Sequence, residues 1–225
     1  MIKKILILLL VTSQINALEP FKAEYTVFKD GKKIGLSSIE LDYEAPFYSI
    51  TDYTNGTHGM ASFLGFKRTE TSLFTEKEGG FFPESYSMYQ KVAFNKRKSD
   101  YQVDYDSQTI IGKHKGEDWQ LDIPKGFSTP NLVTLRLFND VCSGKTENLD
   151  YTIIKEGKVK QYQFTMTSSQ DNIIEIDRIH SKPERITKTW LDTNQRCLPV
   201  RTYHIEEGED AIETKLVKVS QSSQL

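Results

Sequence analysis

The stretch Phe21–Tyr43 reads FKAEYTVFKDGKKIGLSSIELDY. Phe21, Ala23, Tyr25 and Val27 are apolar and the residues between them polar. That period of two puts one face of a strand against a core. Asp30-Gly31 follows, a pair suited to a two-residue hairpin turn, where both positions take positive φ. Ile34 and Leu36 open the return strand, and the apolar phase then changes to Ile39, Leu41 and Tyr43 across Ser37-Ser38. A change of phase inside a strand predicts a β-bulge at that point.

The same alternation runs outward from this hairpin. Ala45-Pro46 turns the chain into FYSITDY, and KRTETSLFTE (67–76), a turn at Glu78-Gly79-Gly80 and FFPESYSMYQKV (81–92) continue the meander. Pro83 belongs at a strand start or on an edge, since it donates no ladder hydrogen bond. Tyr101, Val103 and Tyr105 alternate, TIIGKH (109–114) returns, and Trp119, Leu121 and Ile123 alternate again. Beyond residue 148, LDYTIIKE, KVKQYQFTM, IIEIDRI, ERITKTWL, CLPVRTYHI and AIETKLVKV each read as strands, and SQSSQL is a polar tail. About a dozen strands at this spacing predict a sandwich or barrel.

Two segments break the period. In NGTHGMASFLGF (55–66) three glycines and Met60, Phe63, Leu64 and Phe66 predict a loop with a short helical turn, packed under the sheet, with a lip over a cavity as the alternative. In STPNLVTLRLFNDVCSG (128–144) a Ser128/Thr129 cap and Pro130 mark a helix start. Leu132, Val133, Leu135, Leu137, Phe138 and Val141 fill most of its circumference, so this helix, near 130–142, is read as buried. Gly144 is its stop. Arg136, its one charge before Asp140, either reaches out to water or pairs internally.

The first 17 residues, MIKKILILLLVTSQINA, place Lys3 and Lys4 ahead of an apolar run and end on a small residue. This is the layout of a secretory leader cleaved after Ala17, and the apolar run is far below the ~20 residues that span a bilayer. Residues 18–225 are then expected to form a single exported, periplasmic all-β domain. Without Lys3 and Lys4 the chain carries 27 basic and 31 acidic side chains. That balance lacks the basic excess of a nucleic-acid binder, and Lys96-Arg97-Lys98 reads as a solvated strand end. Cys142 and Cys197 would meet an oxidising compartment, where paired cysteines tend to bridge; two buried free thiols are the alternative.

No catalytic constellation emerges. His58, His114, His180 and His204 have no metal-ligand spacing, and no nucleophile elbow, phosphate loop or dinucleotide fingerprint is present. Catalytic, cofactor and metal sites are therefore all read as none. The chain's eleven tyrosines, twelve phenylalanines and two tryptophans suit a packed core first, and an apolar ligand second.

YTVFKDGKKIG near the start, the helix after FSTPN, and TKTWLDTNQRCLPVR (187–201) occur in an order that resembles an exported bacterial family, domain of unknown function 3108. The resemblance spans about Phe21 to Val219. It implies a strongly bent antiparallel sheet or half-barrel with one inserted helix, similar to lipoprotein carriers, and no reaction. In the hairpin of its closing motif Trp190 is expected to anchor the core, with Ile186 on the same face. The functional expectation is a non-catalytic protein holding a lipid or other apolar envelope molecule in a cleft; the alternative is an envelope interaction protein that binds another protein.

Overall fold

Fourteen strands pair into one antiparallel sheet. In chain order they are β1 (Phe21–Lys29), β2 (Lys32–Glu44), β3 (Phe47–Gly56), β4 (Lys67–Lys77), β5 (Gly80–Val92), β6 (Asn95–Asp104), β7 (Thr109–His114) and β8 (Glu117–Asp122). After a long connection come β9 (Leu149–Lys155), β10 (Lys158–Gln170), β11 (Ile173–Ile179), β12 (Ile186–Asp192), β13 (Leu198–Ile205) and β14 (Ile212–Ser220). A short helix, α1 (Gly59–Phe63), precedes β4, and α2 (Leu132–Cys142) lies between β8 and β9. This computed structural model describes residues 18–77 and 80–221. The expected leader with Ala17, the Glu78-Gly79 turn and the end of the tail lie outside the described residues.

The spatial order is β8-β7-β6-β5-β4-β3-β2-β1-β14-β13-β12-β11-β10-β9. Two meanders, β1–β8 and β9–β14, are joined where β1 pairs with β14. The edges are therefore β8 and β9, which do not pair with each other, so the sheet is bent but not closed. The strand count exceeds the expected dozen; the class of fold is the expected one.

Which face is inside follows from burial. Phe21, Ala23, Tyr25 and Val27 are buried on β1, as the alternation predicts. On β2 Gly35 and Leu41 are buried and Ser37 and Ile39, in the same phase, half-buried, while Leu36 is exposed. The register shift falls near Ile34, between the pairs Val27–Gly35 and Phe28–Lys33. The bulge expected at Ser37-Ser38 is therefore absent, and Leu36 is an apolar residue on the solvent face. Asp30 and Gly31 take φ of 46° and 72°, as the hairpin requires. Pro83 precedes the β5–β6 ladder, which begins at Ser85. Pro199 sits beside the register shift of β12 against β13.

Helix α2 occupies the concave face. Leu132 and Leu135 pack with Phe21, Leu41, Ile50 and Phe74 of the first meander and with Leu198 of β13. Val133, Leu137, Phe138 and Val141 pack with Leu149, Ile153, Ile174, Ile176 and Leu191 of the second. The helix is thus buried almost all round, as its composition predicts. Its start is fixed by polar contacts in an apolar setting. Thr129 Oγ1 accepts from Leu132 N at 3.1 Å, and Ser72 Oγ donates to Asn131 Oδ1 at 2.5 Å. Asn131 Nδ2 donates to the Ile50 carbonyl at 2.9 Å. Arg136 pairs internally, its guanidinium donating to the Phe81 and Gly126 carbonyls. Gly144, at φ 92°, ends the helix.

The two edges overlap. Ile153 faces α2, while Ile154, on the opposite face of β9, packs with Tyr86, Tyr101, Ile110 and Phe127. Those tyrosines lie on the concave face of the first meander, so β5–β8 laps over the outside of β9. Trp119 of β8 lies against Gly157 in the β9–β10 turn, where an added Cβ would come within 2.9 Å of the indole. The edge of β9 is covered by the β8–α2 connection: Ser128 N donates to Thr152 O at 2.8 Å, and Ile154 N to Ser128 O at 3.1 Å.

Asn131→Ala removes the buried amide that accepts from Ser72 and Thr129 and donates to the Ile50 carbonyl, and should cost about 2–4 kcal/mol in urea unfolding. Asn139→Ala, on the exposed face of the same helix, should change stability by less than about 0.5 kcal/mol. Equal effects would mean that the buried amide does not hold the helix.

Candidate functional site

The concave face is divided by α2 into two regions of different chemistry. Toward the end of the barrel that carries the β8–α2 connection lies an open cleft of about 590 Å³. Phe81, Phe82 and Pro83 of β5, Ile123, Pro124 and Phe127 of the connection, and Tyr105 and Tyr151 line it. Arg136 and Asn139 of α2 add polar groups. Tyr105 Oη donates to Pro83 O at 2.7 Å, and Tyr151 Oη to Asp140 at 2.9 Å. The Arg136 guanidinium is held by two carbonyls, and its Nε is buried with no hydrogen-bond partner among the described residues. Lys125, Gln108 and Asp140 complete the lining, and apolar rings bordered by a few charged and polar groups suit an amphiphile.

On the other side of the helix a smaller cleft of about 230 Å³ is lined mainly by charged and hydroxyl-bearing residues. Tyr25, Ser37, Asp52, Arg68 and Glu70 form one wall, and Pro199, Thr202 and Thr214 the other. Arg68 is ion-paired with Glu70 and donates to Gln90 Oε1 at 2.6 Å. Burial pushes the Asp52 carboxyl up to about 7, and the Arg68 charge opposes that rise only in part. Burial also raises the Tyr25 phenol above its ordinary range, and its Oη has no partner among the described residues.

The two cysteines are joined. Cys142 at the end of α2 bridges to Cys197 in the β12–β13 turn, with Cα atoms 6.3 Å apart and a sequence separation of 55. Asp192, Thr193 and Asn194 shape that turn as expected: Asp192 Oδ1 accepts from Asn194 N at 2.9 Å, and Arg196 and Cys197 both take positive φ. The core placement expected of Trp190 is corrected. Leu191 is the fully buried residue there, and Trp190 lies on the outer face beside Lys188. Its Nε1 donates to Glu175 Oε2 at 3.0 Å, and Arg201 stacks on its ring at 4.5 Å. Ile186, on that same outer face, is exposed. Arg201 also pairs with Glu213.

Two histidines distant in sequence meet through one hydroxyl. Thr187 Oγ1 lies 2.9 Å from His180 Nε2 and 2.8 Å from His204 Nδ1. Burial lowers His180 to about 4, so it is neutral at neutral pH. Among the described residues no cluster of three or more His, Cys, Asp or Glu is placed to hold a metal ion. Sequence spacing did not reveal the Asp52–Arg68–Tyr25 group either, because β-sheet register, not local order, brings β1, β3 and β4 together.

A bent β-sheet protein with an internal helix and two clefts is thus the class that the geometry defines. In comparisons with known proteins, the chain is similar in structure to a β-barrel-like protein of domain of unknown function DUF1849 from Brucella abortus. The two share 14% identity with a TM-score of 0.56, over 92% of this chain and 99% of that one. This likeness is one of fold. No family model matches the chain, and no curated protein does; the likeness to domain of unknown function 3108 is carried by the sequence motifs alone.

Removing the bridge by Cys142→Ser with Cys197→Ser should destabilise the chain by about 4 kcal/mol on the loop-entropy estimate, with the far-UV spectrum of the folded protein unchanged. An unaltered denaturation midpoint would show that the thiols are not joined. The Asp52 titration has a definite sign. Folded Asp52 keeps its proton to about pH 7, whereas its ordinary value is 3.8. The folded state therefore binds more protons between these values, and stability falls as pH rises through that window. Asp52→Asn should remove this fall and stabilise the protein at pH 8 relative to pH 4.5 by on the order of 2 kcal/mol. Parallel pH profiles for both proteins would mean that folded Asp52 is already ionised.

Proposed function

We propose that this chain is an exported, non-catalytic binding protein, periplasmic and mature from Leu18 as a single domain, that holds an amphiphilic envelope molecule in the aromatic cleft beside α2. The observation that carries the reading is that cleft. Its volume of about 590 Å³ falls in the range of small-ligand sites, roughly 300–1,000 Å³, and its wall is mostly apolar with few polar groups. Phe81, Phe82, Ile123 and Phe127 would take the apolar part. The Arg136 guanidinium, held in place by the Phe81 and Gly126 carbonyls, would set its positive charge beside the ligand's polar end. The bridge and the absence of any helix long and apolar enough to cross a membrane, among the described residues, agree with export. So does the motif-level likeness to domain of unknown function 3108. Strand addition of a protein partner is less favoured: the free edge, β8, is six residues long and reads EDWQLD, and short charged edges resist pairing.

Native mass spectrometry of the protein recovered from an envelope preparation tests this. The expected spectrum shows a chain beginning at Leu18 with an added apolar mass that is released on denaturation. Asn139→Trp, which places a ring at the cleft rim without touching the core, should abolish the added mass. A wild-type protein that carries nothing, or a variant that retains the same adduct, overturns the cleft as the binding site.

A further inference from the structure

We infer that the end of the barrel remote from the aromatic cleft carries a membrane-docking tip, in which Phe63, Met60 and Phe94 enter the surface of an anionic phospholipid bilayer. The inference stands on different residues from the cleft and does not depend on it. Phe94, in the β5–β6 turn, is 100% exposed, and Phe63 and Met60 of α1 are 83% and 67% exposed. These are the most exposed large apolar side chains among the described residues, together with Val217 on β14, which is also 67% exposed. The expectation that the 55–66 segment packs under the sheet is therefore corrected: none of its residues is buried. Ala61 sits against Gly56, where an added Cβ would meet the Ala61 carbonyl at 2.5 Å. That close approach turns the opposite side of α1 outward.

The two loops form one tip. Ala93 N donates to the Leu64 carbonyl at 2.6 Å, so the residues flanking that bond, Phe63 and Phe94, project from a joined structure. A single exposed Phe needs no explanation, but several gathered on one protrusion mark an interaction surface.

Charge identifies the partner. Lys67 and Lys91 face each other across β4 and β5, and Lys91 faces Lys96 across β5 and β6. No ion pair joins any of these three to a carboxylate among the described residues. Arg97 and Lys98 follow on β6, and Arg97 approaches Glu156 only at 4.0 Å. An apolar tip with a collar of cations is the arrangement that binds at an anionic bilayer surface, rings in the headgroup boundary and ammonium groups on the phosphates. The acidic β13–β14 turn, with Glu206, Glu207, Glu209 and Asp210, lies at the same end but is separated from the α1 loop by the β1–β2 hairpin, whose Lys29 pairs with Asp210 at 3.1 Å. The tip, rather than the whole rim, therefore meets the lipid.

Vesicle co-sedimentation tests the assignment with the full mature chain. Vesicles containing phosphatidylglycerol should bind the wild type, more weakly as salt rises, and pure phosphatidylcholine vesicles should not. Phe63→Ser with Phe94→Ser should weaken binding roughly tenfold or more, and Lys91→Glu with Lys96→Glu should do the same. All four positions lie at a solvent-facing tip, so circular dichroism should show an unchanged fold. Phe94→Trp should be quenched by brominated lipid. Binding that survives loss of both rings, or an unquenched Trp, overturns the proposal. So does a concentration-dependent dimer abolished by Phe63→Ser with Phe94→Ser, or a protein captured through the tip without vesicle binding, since each assigns the tip to a different occupant.

Discussion

The seating of α2 between the two halves of the sheet is the contact on which the rest depends. A fourteen-stranded open sheet has a large apolar inner face and two unpaired edges, and neither is stable in water. The helix answers the first problem by packing Leu132 and Leu135 against one half and Val133, Leu137, Phe138 and Val141 against the other. Its N-terminal connection answers the second, because Ser128 pairs with β9. The two roles require the helix to sit at one register along the strands. Apolar packing tolerates sliding, whereas the Ser72–Asn131–Ile50 hydrogen bonds have fixed geometry. They set the position, and the Cys142–Cys197 bridge fixes the other end of the helix to the β12–β13 turn.

That position creates both clefts. A helix of eleven residues spans about 16 Å, and β5 alone, at thirteen residues, spans roughly 40 Å. The helix cannot fill the concave face from end to end. At one end it leaves aromatic side chains beside Arg136. At the other it leaves inward positions that the sequence fills with Ser37, Asp52, Thr54, Arg68, Glu70, Thr202 and Thr214. Polar residues at inward strand positions are tolerable only where no helix presses on them, so the change of chemistry along β2, β3 and β4 records where α2 stops.

Much of this architecture was legible in the sequence, and the errors have a common cause. Period two identified the strands, and the cap, Gly144 and dense leucines identified the helix. Period does not say which face is inside when both phases carry apolar residues. Leu36 follows an apolar Ile34 and so suggests a phase flip, yet the register shift sits at Ile34 and the inner phase runs unbroken from Gly35. Trp190 is the largest residue of its strand, yet Leu191 takes the core and Trp190 closes a polar ladder with Glu175 and Arg201. In both cases size drew attention away from phase. The overlap of β5–β8 on β9 was not readable, because it depends on the curvature of a whole sheet. The polar cleft was hidden for the related reason that its residues belong to six different strands.

The cleft and the tip stand at opposite ends of one strand. β5 begins at Gly80 and Phe81, in the cleft wall, and ends at Val92, immediately before Ala93 and Phe94. Its length of roughly 40 Å exceeds the depth to which interfacial side chains enter a bilayer, about 5–10 Å. A molecule resting on its tip would therefore hold the aromatic cleft well clear of the lipid and facing water. A ligand in the cleft could not then be drawn directly from the leaflet beneath. It would have to arrive from the aqueous side, delivered by a separate protein or presented from a facing surface, and the strand that separates the two sites would set the distance between them.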